Sequence, residues 1–76
     1  MNINEFLEKF AELFDDTDPS EINADTEFRD LDEWSSMMRL AVMAMIDDEY
    51  DVQLQATEMR QAETVEELFE IVKSKK

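Results

Sequence analysis

The sequence predicts an all-α fold: a small four-helix bundle of three main helices plus a short third helix, with a long first loop. Apolar residues recur at intervals of three and four, which is the spacing of one helix face. The chain has no glycine and one proline, so few residues interrupt a helix. Only Val52-Gln53-Leu54 alternates like a strand, and no second strand exists to pair with it. A helical bundle is therefore the natural architecture.

The first helix is predicted over about residues 2–14, and the segment Asp15–Ser20 with Pro19 ends it. A long loop then runs to about Trp34, and its isolated apolar residues Ile22, Phe28 and Leu31 are expected to pin it onto the core. The apolar face of the first helix consists of Ile3, Phe6, Leu7, Phe10, Leu13 and Phe14.

The second helix is predicted from Ser36 to Tyr50, with Ser35 as its N-cap. It is apolar almost all round, so one face is expected to pack the core and another to be covered by the loop or offered to a partner. The six methionines of the chain would suit a core that adapts to variable apolar guests. The stripe that we assign to the core comprises Met37, Leu40, Met43, Ala44, Ile46 and Tyr50.

The last third of the chain predicts a connector at 52–54, a short helix over 57–62 and a closing helix. Thr64 and Glu67 form a capping box at the start of the closing helix. Lys73 and the lysines after it suit the negative end of its dipole. The apolar face of the closing helix consists of Val65, Leu68, Phe69 and Val72.

The length and composition of the chain exclude several kinds of functional site. With 76 residues we expect one domain, 1–76, with one modest core. The absence of cysteine and histidine excludes disulfides, thiolate or imidazole metal sites and the usual catalytic triads, and the absence of glycine excludes a P-loop. We therefore expect no catalytic residue, no metal and no enzyme.

The chain is strongly acidic, with a formal net charge of −14. This charge repels nucleic acid and anionic lipid, and it favours a basic protein partner. The sequence opens without a signal-peptide pattern, and its longest apolar run, Leu40 to Ile46, is far shorter than the roughly 18 residues of a membrane span. We expect a cytoplasmic monomer without membrane insertion.

Calcium binding is one alternative. Asp16, Asp18, Ser20 and Glu27 fall at the first, third, fifth and twelfth positions of an EF-hand loop. The sixth position, where the sharp turn needs glycine, is Glu21, and no second loop is present. The pattern therefore leaves calcium binding as the least favoured of the alternative functions.

Ser36 is the strongest candidate for a functional residue. A serine hydroxyl at a helix N-terminus meets the positive end of the macrodipole and free backbone amides, which would both stabilise a phosphate esterified there. The alternative is that Ser36 only serves as a second N-cap candidate beside Ser35. The context favours a modification site over a catalytic one.

The chain resembles the acyl carrier protein family, whose second helix begins with a modified serine in an Asp-Ser-Leu motif. Here the motif reads Ser35-Ser36-Met37, and Asp47-Asp48-Glu49 and Tyr50 follow at the family's spacing. The resemblance spans nearly all of the chain. Its other matching segments are Asp25-Thr26-Glu27-Phe28, Leu31-Asp32-Glu33-Trp34 and Thr64-Val65-Glu66-Glu67-Leu68.

The resemblance implies that Ser36 carries 4′-phosphopantetheine, transferred from coenzyme A by a phosphopantetheinyl transferase, with Ser35 flanking it. Acyl groups would be held on this arm as thioesters. Acyl-transferring, ligase or synthase enzymes with basic docking patches would be the further partners. The implied partner-binding residues are Met37, Met38, Ala41, Asp47, Asp48 and Glu49. The implied lining of an acyl pocket is Phe28, Leu40, Met43 and Ile46.

The chain departs from the family pattern at two places. Ser35 replaces the aspartate before the modified serine, and Met38-Arg39 and Ala41 replace positions that are often acidic. These departures point to a specialised biosynthetic pathway more than to general fatty-acid synthesis. The alternative function is a small acidic adaptor that has the carrier fold and no pantetheine.

Overall fold

A computed structural model describes residues 2–76 and places four helices in this part of the chain. They are α1 (Ile3–Glu12), α2 (Ser36–Tyr50), α3 (Ala56–Gln61) and α4 (Val65–Lys75). The same residues contain no strand, so the predicted all-α bundle with a short third helix is confirmed. None of the described helices combines the length and the apolar character that crossing a bilayer requires.

The ends of the helices follow local capping. Asn2 caps α1 by accepting a hydrogen bond from the Asn4 amide at 2.8 Å. The helix ends at Glu12, two residues before the predicted end, because the Leu13 amide donates to Phe10 over a tighter turn. The predicted capping box of α4 is confirmed, since the Glu67 amide donates to Thr64 Oγ1 at 3.2 Å and the Thr64 amide donates to Glu67 Oε1 at 3.0 Å.

The core is one apolar cluster to which all four helices contribute. The Phe6 ring lies 5.8 Å from the Tyr50 ring and 5.4 Å from the Phe69 ring, so it joins α1 to α2 and α4. An ion pair between Glu58 and Lys75, at 2.8 Å, also ties α3 to α4. The largest side chains with almost no exposed surface are Phe6, Phe10, Phe28, Val42, Ile46, Met59, Val65, Leu68 and Val72.

The long first loop is fixed to the core as predicted. Phe28 is fully buried, Ile22 is almost fully buried and Leu31 packs against the cluster. The loop also contacts the start of α4, where the Val65 amide donates a hydrogen bond to the Thr26 carbonyl at 3.1 Å. Two short 3₁₀ turns, which the sequence did not indicate, lie within it at Pro19–Glu21 and Phe28–Asp30.

The acidic stretch with the EF-hand-like spacing serves as turn structure. The Asp18 carboxylate accepts a hydrogen bond from the Ser20 amide at 2.9 Å and caps the first 3₁₀ turn. Hydrogen bonding to Ser20 lowers the pKa of the Asp18 carboxyl group. Within residues 2–76, no group of three or more acidic side chains is arranged to hold a metal ion.

The core assignment for α2 was partly wrong. Met37 is 80% exposed and Leu40 is 58% exposed, and Ala44 is also exposed. Ile46 and Tyr50 are buried as predicted, and Met43 packs partly against the core. Val42, which the predicted stripe did not include, is fully buried on the same inward face. Because α2 is apolar on every side, the spacing of its apolar residues could not distinguish its inner face from its outer face.

We expect Asp51→Gly to stabilise the protein by about 1 kcal/mol. Asp51 ends α2 with φ 57° and ψ 39°, a left-handed conformation that costs most residues roughly 1–2 kcal/mol and glycine almost nothing. Its carboxylate also lies at the negative end of the helix dipole. The greater freedom of glycine in the unfolded chain offsets roughly 0.4–1 kcal/mol of the gain.

Urea unfolding followed by circular dichroism measures this change. Asp51→Asn is the matched control, because it removes the charge and leaves a residue with a Cβ in the left-handed conformation. We expect the stability of Asp51→Asn to lie between that of the wild type and that of Asp51→Gly. A glycine variant no more stable than the wild type would contradict the account.

Candidate functional site

Ser35 and Ser36 have different positions at the start of α2. Ser35 is the N-cap, with extended backbone, and its Oγ accepts a hydrogen bond from the Met38 amide at 3.2 Å. Its carbonyl accepts from the Arg39 amide at 2.9 Å. Ser36 is the first residue of the helix and is exposed. Since Ser35 provides the cap, the hydroxyl of Ser36 is available to the solvent.

The helix start is held in place by Trp34. The Trp34 ring stacks on Phe14, with centroids 6.4 Å apart, and meets the edge of Phe28 at 4.9 Å. The preceding residue, Glu33, accepts hydrogen bonds from the Asp16 amide at 3.0 Å and from the Thr17 hydroxyl. These contacts place Ser36 at a defined, exposed corner of the bundle. The sequence signal that we did not use is a large aromatic residue immediately before an N-cap.

The outer face of α2 changes character along its length. Near Ser36 it is apolar, with the exposed side chains of Met37 and Leu40. Towards its end it is acidic, and an open groove beside it is lined both by small or apolar residues and by aspartates. The groove is lined by Leu13, Ala41, Ala44, Met45, Asp47, Asp48 and Asp51.

The residues that the resemblance implied for partner binding do not form one uniform surface. Met37, Asp47 and Asp48 are exposed, Ala41 is half-buried, and Met38 packs partly against the core. Glu49 is already paired with Lys9 of α1, at 3.0 Å. This contact raises the pKa of Lys9. Glu49 therefore also links α1 to α2.

The residues implied for an acyl pocket divide between interior and surface. Phe28 and Ile46 are fully buried in the core cluster, and Met43 is partly buried against it. Leu40 lies on the outer surface. The Phe28 ring packs in T-shaped geometry against Phe10, with centroids 5.7 Å apart, and against Trp34.

Arg39 is a residue of this region to which the sequence analysis assigned no function. It is half-buried, and its Nε is buried without a hydrogen-bond partner among the described residues. It lies in the first turn of α2, where the helix dipole disfavours a cation. That conflict with the dipole was visible in the sequence and could have singled it out.

Comparison with known proteins identifies the family. The family model described as "Phosphopantetheine attachment site" matches residues 4–72, which is most of the chain. No curated protein and no solved structure matches the chain significantly. Domains of the matched family are carriers without catalytic activity of their own, and the group that they bear is 4′-phosphopantetheine. The chain therefore belongs to the phosphopantetheine-attachment family and is a carrier, not an enzyme.

Proposed function

We propose that this protein is an acyl carrier protein of a specialised biosynthetic pathway, with its prosthetic group attached to Ser36. The observation that carries the proposal is the exposed position of Ser36 as the first residue of α2, beside a neighbour that already caps the helix. When bound, 4′-phosphopantetheine supplies a terminal thiol that holds acyl groups as thioesters.

The residues at the start of α2 suit the attachment of a phosphodiester. The helical bonds and the Ser35 cap leave the amides of Ser36 and Met37 without helical acceptors. The dipole of a 15-residue helix adds positive potential at this end. Arg39 adds a full positive charge three residues further along, in the same first turn. Together these groups offer donors and positive charge to a phosphate on Ser36.

Attachment requires a partner enzyme. Ser36 Oγ attacks the phosphorus of coenzyme A that bears the pantetheine, and a new P–O bond forms. The bond to the second phosphate breaks, adenosine 3′,5′-bisphosphate leaves, and the serine proton passes to a base. A phosphopantetheinyl transferase supplies that base and the metal ion, as expected for a chain without histidine.

Intact-mass measurement tests the proposal. The purified protein is incubated with coenzyme A, Mg²⁺ and a broad-specificity phosphopantetheinyl transferase. We expect the mass to increase by one phosphopantetheine. The absence of any addition with several such transferases would contradict the proposal and favour the acidic adaptor instead.

The outer face of α2 would fit a partner enzyme with two kinds of surface. The partner would be apolar where it meets the start of α2 near Ser36, and basic where it meets the acidic end of the helix. Asp47 lies eleven residues after Ser36, which is about 16 Å along the helix axis. Met37 and Leu40 lie between them and next to the point of attachment. We therefore propose that apolar contact stabilises docking near Ser36, while the distant aspartates mainly accelerate association with a basic patch.

Two sets of variants separate these effects. We expect Met37→Glu and Leu40→Glu to lower kcat/KM for loading by a transferase about tenfold or more, because burial of such a side chain is worth roughly 1.5–3 kcal/mol. The double variant Asp47→Asn/Asp48→Asn should instead weaken the dependence of kcat/KM on NaCl concentration.

The matched control is Glu66→Gln/Glu70→Gln, which changes the net charge equally at exposed positions of α4. It should leave the loading kinetics close to those of the wild type. Equal effects of the two charge variants would show that only net charge matters and would contradict docking through α2.

A further inference from the structure

We propose that Arg39 is a positioning residue whose guanidinium binds the phosphodiester on Ser36 and so fixes the base of the prosthetic arm against α2. The inference rests on the proposed attachment to Ser36. It goes further by assigning to this chain an internal contact for the phosphate, made by the carrier itself and independent of a partner enzyme.

The helix places Arg39 within reach of Ser36. Arg39 follows Ser36 by three residues, and both lie within α2. Side chains three apart on a helix are neighbours, with Cβ atoms roughly 5–6 Å apart. Long side chains in a helix also lean towards its N-terminus, which for Arg39 is the direction of Ser36.

Arg39 forms no ion pair with the described part of the chain, although the protein is strongly acidic. The chain carries 21 acidic residues, yet the two ion pairs among the described residues use Lys9 and Lys75. Its Nε is buried and makes no hydrogen bond to any residue of the described range 2–76. Leaving a buried donor unpaired is unfavourable, and so is a cation in the first turn of a helix. A negative group at Ser36 would remove both disadvantages.

The chemistry of the two groups matches. A phosphodiester has one negative charge and free oxygens that accept hydrogen bonds, and the planar guanidinium presents several donors to such oxygens. The competing interpretation is that the arginine stem only covers apolar surface while its end lies in water. That interpretation requires no response of Arg39 to the modification of Ser36, so the two can be distinguished.

NMR of the arginine Nε–Hε groups in the apo and holo proteins tests the inference. On loading, we expect the Arg39 signal to shift downfield and its hydrogen exchange to slow. The same spectrum contains the internal controls Arg29 and Arg60, which are exposed and lie outside α2, and their signals should stay in place.

Thermal unfolding provides a second readout. We expect the change in Tm on loading to be more favourable in the wild type than in Arg39→Met by at least roughly 4–8 °C, which is the shift that one hydrogen bond of ordinary net strength produces in a domain of this length. Methionine keeps an unbranched stem in place of the arginine stem. Arg39→Lys should recover part of the difference, and Arg60→Met should not change it.

The outcomes separate this inference from the proposed function. A mass spectrum without any adduct would overturn the attachment to Ser36 and the role of Arg39 together. A second outcome is that the adduct forms, the Arg39 signal does not move, and the change in Tm is equal in wild type and Arg39→Met. That outcome would overturn only the role of Arg39, and the carrier function would stand.

Discussion

The Ser36→Ala variant is expected to fold like the wild type and to gain no phosphopantetheine, whereas Ser35→Ala is expected to be loaded and to unfold more easily. Ser36 is exposed at the first helical position, where alanine is a good helix former. Ser35 caps α2 through its hydroxyl. Replacing a capping serine by alanine costs about 1 kcal/mol, or roughly 4–8 °C in Tm for a domain of this size.

Intact mass and thermal circular dichroism on the same samples measure both properties. Ser35→Asp is an informative control, because aspartate caps a helix as well as serine does and restores the family's residue at this position. It should keep the stability of the wild type, and its rate of loading reports the effect of the missing charge. Loading of Ser36→Ala would contradict the assignment of the attachment site.

Phe28→Ala is expected to leave the protein largely unfolded at 25 °C. The Phe28 side chain has no exposed surface and packs edge-on against both Phe10 and Trp34. Its removal costs about 3–5 kcal/mol, which is comparable to the roughly 3–5 kcal/mol that a core of this size supplies in total. The same cluster holds Trp34, so the start of α2 would lose its support.

Circular dichroism should therefore show a loss of helix and no cooperative transition in this variant. Phe28→Leu retains most of the apolar volume and should remain folded with a lower Tm. Emission from Trp34, the single tryptophan of the chain, reports on the same cluster. A cooperative melt of Phe28→Ala near the wild-type Tm would contradict the importance of this contact.

Elements with strong local signals were predictable. The capping box of Thr64 and Glu67 is a matter of side chains three residues apart, and the structure confirms both of its hydrogen bonds. The apolar face of α1 was equally clear, because phenylalanines recur at intervals of four residues with charged residues between them. Its ends were less predictable, since Phe14 is buried beyond the last helical residue and looks like part of the helix in the sequence.

The faces of α2 were not predictable from spacing. Met37 and Leu40 have the same apolar character as Val42 and Ile46, yet the first pair lies in water and the second in the core. The environment of each depends on how α1, α4 and the loop surround the helix. The pairing of Glu49 with Lys9 joins residues far apart in the chain, so it too requires the assembled bundle.

Sequence alone was sufficient for the helical class, the order of the helices, the cap at Ser35 and the serine that we propose for attachment, because each depends on residues within one or two helical turns. The bundle decided which side of α2 faces outward, how Trp34 holds the start of that helix, and that Arg39 Nε is buried without a hydrogen-bond partner among the described residues. These properties depend on burial and on contacts between distant segments. Such contacts exist only after the loop and the helices have packed around Phe28 and Phe6.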